Sequence, residues 1–143
     1  MNNKIALVVW SKTGNTKTMA NSLKDGALSE GVEVEFFKAY NFTPEIASTF
    51  EKIALGCPAM GAEVLEETEF EPMYQSIKHL LKGKKVFFFG SYSWGNGEWM
   101  EKWKNDALSN GISMFREPII AVEYSSDDIL DKCKQLGIDL ARA

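Results

Sequence analysis

Apolar residues along this chain come in two alternating patterns. Short continuous runs or strict alternations of strand length are each followed by a stretch with apolar positions three and four residues apart. Ile5-Ala6-Leu7-Val8-Val9, running on to Trp10, is the first such run. Residues 16–30 follow with Met19, Leu23 and Ala27 at helical spacing and Gly31 as a stop. From Val32 to Lys38, Val32, Val34 and Phe36 alternate with Glu33 and Glu35, which predicts a half-buried edge strand. Thr43-Pro44 opens a short helix, with Thr as N-cap and Pro in the first position. Ile53 to Cys57 reads as a buried strand, a long loop runs from Pro58 to about Glu69, and a helix from about Glu71 to Leu81 turns Met73, Ile77 and Leu80 inward. Lys85 to Gly90 contains Val86-Phe87-Phe88-Phe89, a run that implies burial on both faces. A fourth long helix starts near Glu98 and ends at Gly111, with Trp99 and Trp103 as core residues. The fifth strand is broken, Ile112 to Phe115 and Ile119 to Val122, and its Pro118 demotes it to an edge. Asp127-Asp128 cap a last helix whose stripe is Ile129, Cys133, Leu136 and Leu140.

Strands alternating with helices predict an α/β fold, a doubly wound sandwich around a five-stranded parallel sheet in the order 2-1-3-4-5. At 143 residues the expectation is one domain spanning 1–143. Ligands in such sheets bind beyond the carboxyl ends of the strands, at the switch point between strands one and three. That rule selects three loops, 10–16, 57–70 and 90–98.

The rest of the composition mainly excludes. A net charge of −4 argues against nucleic acid and is compatible with cationic protein partners. Cys57 and Cys133 stand far apart with no C-x-x-C, and His79 is the only histidine, so neither a disulfide framework nor a zinc site is indicated. No run of membrane-spanning length occurs and the N-terminal apolar run is too short for a signal peptide, so a cytoplasmic protein with no membrane partner is expected.

The three selected loops carry the chemistry. Trp10-Ser11-Lys12-Thr13-Gly14-Asn15-Thr16 is a strand-to-helix turn with four hydroxyl or amide side chains around one glycine. A helix N-terminus offers free N–H groups and a partial positive charge, and Gly14 lets the backbone approach an anion. The turn is neither a Walker A nor a G-x-G-x-x-G fingerprint, which points to a mononucleotide phosphate. Lys12 adds a positive charge to it, although a solvated lysine is the plainer reading. The second loop, Pro58-Ala59-Met60-Gly61-Ala62-Glu63 and onward to Pro72, carries Glu63, Glu66, Glu67, Glu69 and Glu71 with no Lys or Arg before Ile77. In the third, Ser91-Tyr92-Ser93-Trp94-Gly95, a tryptophan sits among small residues, its face free to stack on a planar ligand opposite Met60.

These motifs, Trp10-Ser11 with Thr13 to Thr16, Gly56-Cys57 with Ala59-Met60-Gly61 and Glu63 to Glu67, Glu69 to Pro72, and Gly90-Ser91-Tyr92 with Trp94-Gly95, resemble the short-chain, clostridial type of flavodoxin over nearly the whole chain. The resemblance implies a flavodoxin-like three-layer sandwich with non-covalent FMN, acting as a low-potential one-electron carrier between redox enzymes through the semiquinone/hydroquinone couple, and no catalytic acid or base. Ser11, Thr13, Asn15 and Thr16 would hold the phosphate, Met60 and Trp94 would sandwich the ring, and Glu63 would accept its N3–H. Backbone N–H groups near Gly95 would meet the pyrimidine oxygen. The Gly61 carbonyl would accept from N5–H in the semiquinone. The glutamates would disfavour the anionic reduced flavin and steer redox partners, such as flavodoxin reductases and oxidoreductases normally served by ferredoxin, onto an acidic face of a monomer. Pro58, Ala62, Ser93 and Asn96 depart from the family pattern, and Ala62 and Asn96 each remove a charge. Two other classes fit the sequence less well. A small FMN-dependent quinone or nitro reductase of the same fold would need a substrate lid, which the sequence does not show. A response-regulator receiver is rejected because Trp10 and Cys57 stand where it needs acids.

Overall fold

The computed structural model describes residues 3–12, 14–60, 64–93, 95–123 and 126–143. Five strands, β1 (Ile5–Val9), β2 (Val34–Lys38), β3 (Lys52–Gly56), β4 (Lys85–Tyr92) and β5 (Ile119–Val122), pair in parallel in the order β2-β1-β3-β4-β5. The helices are α1 (Asn15–Ser29), α2 (Pro44–Ala47), α3 (Phe70–Ile77), α4 (Glu98–Ser109) and α5 (Asp127–Arg142). Because side chains alternate across a strand, the central strands supply two separate cores. Ala6, Val8, Ile53, Leu55, Val86 and Phe88 face α3 and α4, where Phe88 stacks on Trp103 at 3.8 Å between ring centres. Ile5, Leu7, Ala54, Phe87 and Phe89 face α1 and α5. The all-apolar run of β4 is thus explained by burial on both sides, as the sequence predicts.

Both edges are where the pattern places them, and the interruption around Pro118 is real: Met114 bridges Val86 alone, and the ladder resumes only at Ile119. Other boundaries differ for local reasons. Ladder bonds carry β4 through Ser91 to Tyr92, past the last apolar residue. The chain tightens into a 3₁₀ turn at Lys78–Leu80, so Leu81 is fully buried and Leu80 only half-buried. The cap of α5 is Ser126, whose Oγ accepts the Ile129 N–H; Asp127 and Asp128 occupy the first turn, favourable against the helix dipole. Thr43 caps α2 as expected.

Two further contacts matter below. Gly26 of α1 and Gly137 of α5 let those helices touch backbone to backbone: an added Cβ would lie 2.0 Å from the Lys134 carbonyl oxygen and 2.0 Å from that of Leu23, respectively. At the amino end of β3, the buried Lys52 ammonium donates to Asn3 Oδ1 at 2.6 Å and to the Ala141 carbonyl at 3.1 Å.

Candidate functional site

At the carboxyl end of β1 the chain turns into α1 without a side-chain cap. Gly14 is the N-cap residue with φ of 94°, a conformation that would cost a residue with a Cβ about 1–2 kcal/mol. Its N–H donates to Ser11 Oγ at 3.1 Å, which leaves the serine proton free to donate outward. The first-turn N–H groups of α1 have no acceptor within the helix and face this turn, the arrangement that suits a phosphate. Thr16 is buried, and its hydroxyl is paired with Ser91 Oγ at 2.8 Å and receives the Ser91 N–H at 3.3 Å. It ties the start of α1 to the end of β4.

A cleft of about 400 Å³ opens beside this turn, lined by Lys12, Asn15, Pro58, Ala59, Met60, Ser91, Tyr92, Ser93 and Glu123. Its base is held by ladder-like bonds beyond the strands: Cys57 N–H to Phe89 O, Ala59 N–H to Ser91 O, and a reciprocal pair between Met60 and Val64. Gly90 permits this closeness, since a Cβ there would meet the Cys57 carbonyl oxygen at 2.1 Å. Burial pushes the Cys57 thiol far up, so it stays neutral beneath the cleft.

The carboxylates of the second loop divide between structure and surface. Glu66 is buried and accepts N–H bonds from Thr68, Glu69 and Phe70 at 2.9, 2.7 and 2.8 Å, and it also takes the Thr68 hydroxyl. Burial alone would raise its pKa; the hydrogen bonds outweigh that and hold it below the usual carboxylate value. Glu69 accepts the Trp10 indole N–H at 2.9 Å and joins the second loop to the first. Glu67 is exposed.

The comparisons with known proteins agree with this geometry. The family model described as flavodoxin matches residues 7–135. The flavodoxin of Megasphaera elsdenii is 38% identical over 97% of this chain and 99% of its own length, and that of Clostridium beijerinckii is 36% identical over 94% and 97%. This chain belongs to the flavodoxin family. The solution structure of two-electron reduced Megasphaera elsdenii flavodoxin superposes with a TM-score of 0.88 over 97% of this chain and 99% of the other. As a flavodoxin, the chain is an electron carrier with non-covalent FMN, and the reductase alternative is not favoured.

Of the residues the sequence selects, the cleft brings together Lys12, Asn15, Pro58, Ala59, Met60, Ser91, Tyr92 and Ser93. Gly14 and Ser11 form the adjoining turn, Thr16 lies behind it, and Gly95 is exposed beyond the cleft with φ of 87°. Thr13, Gly61, Ala62, Glu63 and Trp94 lie outside the described residues. The sequence reading missed Glu123, which lines the cleft in a left-handed conformation, φ 51°. Its position just past β5, at the carboxyl end of a strand next to β4, was the available signal. The donor set of Ser11 hydroxyl, Asn15 amide, Lys12 ammonium and free helix N–H groups fits a phosphate, and Ala59, Met60 and Tyr92 supply less polar wall for a ring. Among the described residues, no helix is long and apolar enough to cross a membrane, and no group of His, Cys, Asp and Glu could hold a metal ion.

Proposed function

We propose that the cleft between the β1–α1 turn and the ends of β3 and β4 is the FMN site. We further propose that this chain, a single domain over 1–143, works as a monomeric cytoplasmic carrier that presents the flavin to redox protein partners. When bound, FMN supplies the electron chemistry. The chain's residues bind, orient and set charge. Ser11, Thr13, Gly14 and Asn15 with Lys12 take the phosphate, Thr16 adding its backbone N–H while its hydroxyl holds Ser91; Pro58, Ala59, Met60, Gly61, Ala62, Glu63, Ser91, Tyr92, Ser93, Trp94 and Gly95 surround the rest. Exposed Glu123 places negative charge at the rim, and exposed Glu67 adds to the charge of the second loop; together they disfavour added electrons on the ring and attract cationic faces of partners such as flavodoxin reductases. Glu66 contributes less, because amide dipoles already meet its charge.

The observation that carries this reading is the uncapped start of α1 opening beside a cleft of FMN-like capacity. Titrating the apoprotein with FMN and with riboflavin tests it. FMN should bind far more tightly, and Asn15→Ala should weaken FMN by about 1–3 kcal/mol while leaving riboflavin almost unchanged. Equal affinities for the two flavins would overturn the phosphate assignment.

A further inference from the structure

A second cleft, of about 260 Å³, lies on the other side of the β1–α1 turn. Its walls come from the carboxyl ends of β1 and β2, where the register sets Lys38 beside Val9. Trp10, Phe36 and Tyr40 line it, and so do Lys17 and Lys38. Phe36 and Tyr40 are two of the few large apolar side chains that this fold leaves exposed, 37% and 59%, and they share one depression. Lys17 Nζ stands 5.7 Å from the Phe36 ring centre. Among the described residues neither lysine has a carboxylate within ion-pair distance, although the chain as a whole is acidic. The one carboxylate in the cleft, Glu69, accepts the Trp10 indole N–H through Oε1, and the two ammonium groups outnumber its single negative charge.

Exposed rings offer stacking faces, and two exposed ammonium groups lining one depression attract an anion. We propose that this cleft binds an aromatic ring carrying a phosphate, the chemistry of a nucleoside monophosphate, at a site separate from the cofactor. The ring lies against Tyr40 and Trp10, and the phosphate meets Lys17 and Lys38. The site lies toward β2, away from the switch between β1 and β3, and borders the cofactor turn only at Ser11.

The test uses FMN-saturated, ¹⁵N-labelled protein titrated with adenosine monophosphate, adenosine and inorganic phosphate in turn. The Trp10 indole N–H signal, assigned with Trp10→Phe, reports on the cleft directly. It should shift saturably with adenosine monophosphate, at a midpoint at least about tenfold lower than with adenosine or phosphate. The Trp99 and Trp103 indole signals and the flavin absorbance should stay in place. Lys17→Gln combined with Lys38→Gln, and separately Tyr40→Ala, should each raise that midpoint about tenfold. Three results would each overturn the site: no Trp10 shift up to about 10 mM nucleotide; displacement of flavin instead; or phosphate binding as tightly as the nucleotide, which means an adventitious ion only. Unchanged affinity in the lysine variant would overturn it as well.

Discussion

Glu66 and Glu67 are neighbours in sequence with opposite environments. Glu67 is in water; Glu66 is buried and gathers three backbone N–H groups just ahead of α3. Replacing it with glutamine exchanges a charged acceptor for a neutral one and leaves at least one of those donors poorly satisfied, so Glu66→Gln should cost about 1–3 kcal/mol in urea unfolding. The sign of its pH dependence follows from the lowered pKa. The carboxylate's contribution is fully present above its ordinary value and is lost as pH falls through the lower folded value. Stability of the wild type should therefore decline on acidification below about pH 4.5, and the variant's curve should be flatter there. Sequence did not separate these two residues. Five glutamates in a stretch without cations look like one solvated loop, and which one is buried depends on where α3 begins, here at Phe70. Hydroxyl residues of the first turn were easier to read, because a strand end followed by a helix start fixes their neighbourhood. Even so, Thr16 turned out to be buried against Ser91, a contact across 75 positions that no local pattern displays.

At the scale of elements, periodicity located the five strands and the four long helices, the Thr43-Pro44 cap located α2, and the 3₁₀ turn at Ala39–Asn41 went unread; other errors gathered at ends, where hydrogen bonds rather than burial decide. Ser126 caps α5 because its Oγ reaches the Ile129 N–H, and the apolar stripe says nothing of that. Periodicity was also silent on how helices touch. Gly26 and Gly137 sit inside helices, where glycine is disfavoured, and each faces a carbonyl oxygen of the other helix. Alanine at either site would gain about 1 kcal/mol of helix propensity. The new Cβ would nonetheless sit 2.0 Å from a backbone oxygen, which cannot rotate away, so the helices must separate. Gly26→Ala and Gly137→Ala should each destabilise the protein, by about 1–3 kcal/mol or more net. The double variant should lose less than the sum, since the first separation makes room for the second methyl. Because α1 also carries the phosphate-facing turn, FMN affinity should fall alongside stability; unfolding curves and FMN titrations on the same samples check both.

For the whole molecule, the sheet order and the switch between β1 and β3 were legible because edge strands and doubly buried strands differ in composition, Val34–Lys38 against Val86–Phe89. What the fold does with its ends was not. The site gathers segments from four strand ends, so a ligand there ties the whole sheet together and stabilises only the folded chain. With FMN at a hundredfold excess over its Kd, the gain is about 2.7 kcal/mol. At about 2–4 °C per kcal/mol, Tm should rise by roughly 5–10 °C over the apoprotein, and by much less with riboflavin at the same concentration. A calorimetric scan of the three samples decides it. At the opposite end of the sheet, one ammonium group, that of Lys52, holds both Asn3 and the last turn of α5. Asn3 and Ala141 are therefore adjacent, at the end of the sheet opposite the cofactor cleft. A short peptide could splice them into a continuous loop, with new ends opened at a surface turn such as residues 82–84, and leave the redox face untouched. Likewise, a domain fused at either end would hang from the back of the molecule, which makes this fold a part that can be strung into longer electron-transfer chains without covering the flavin.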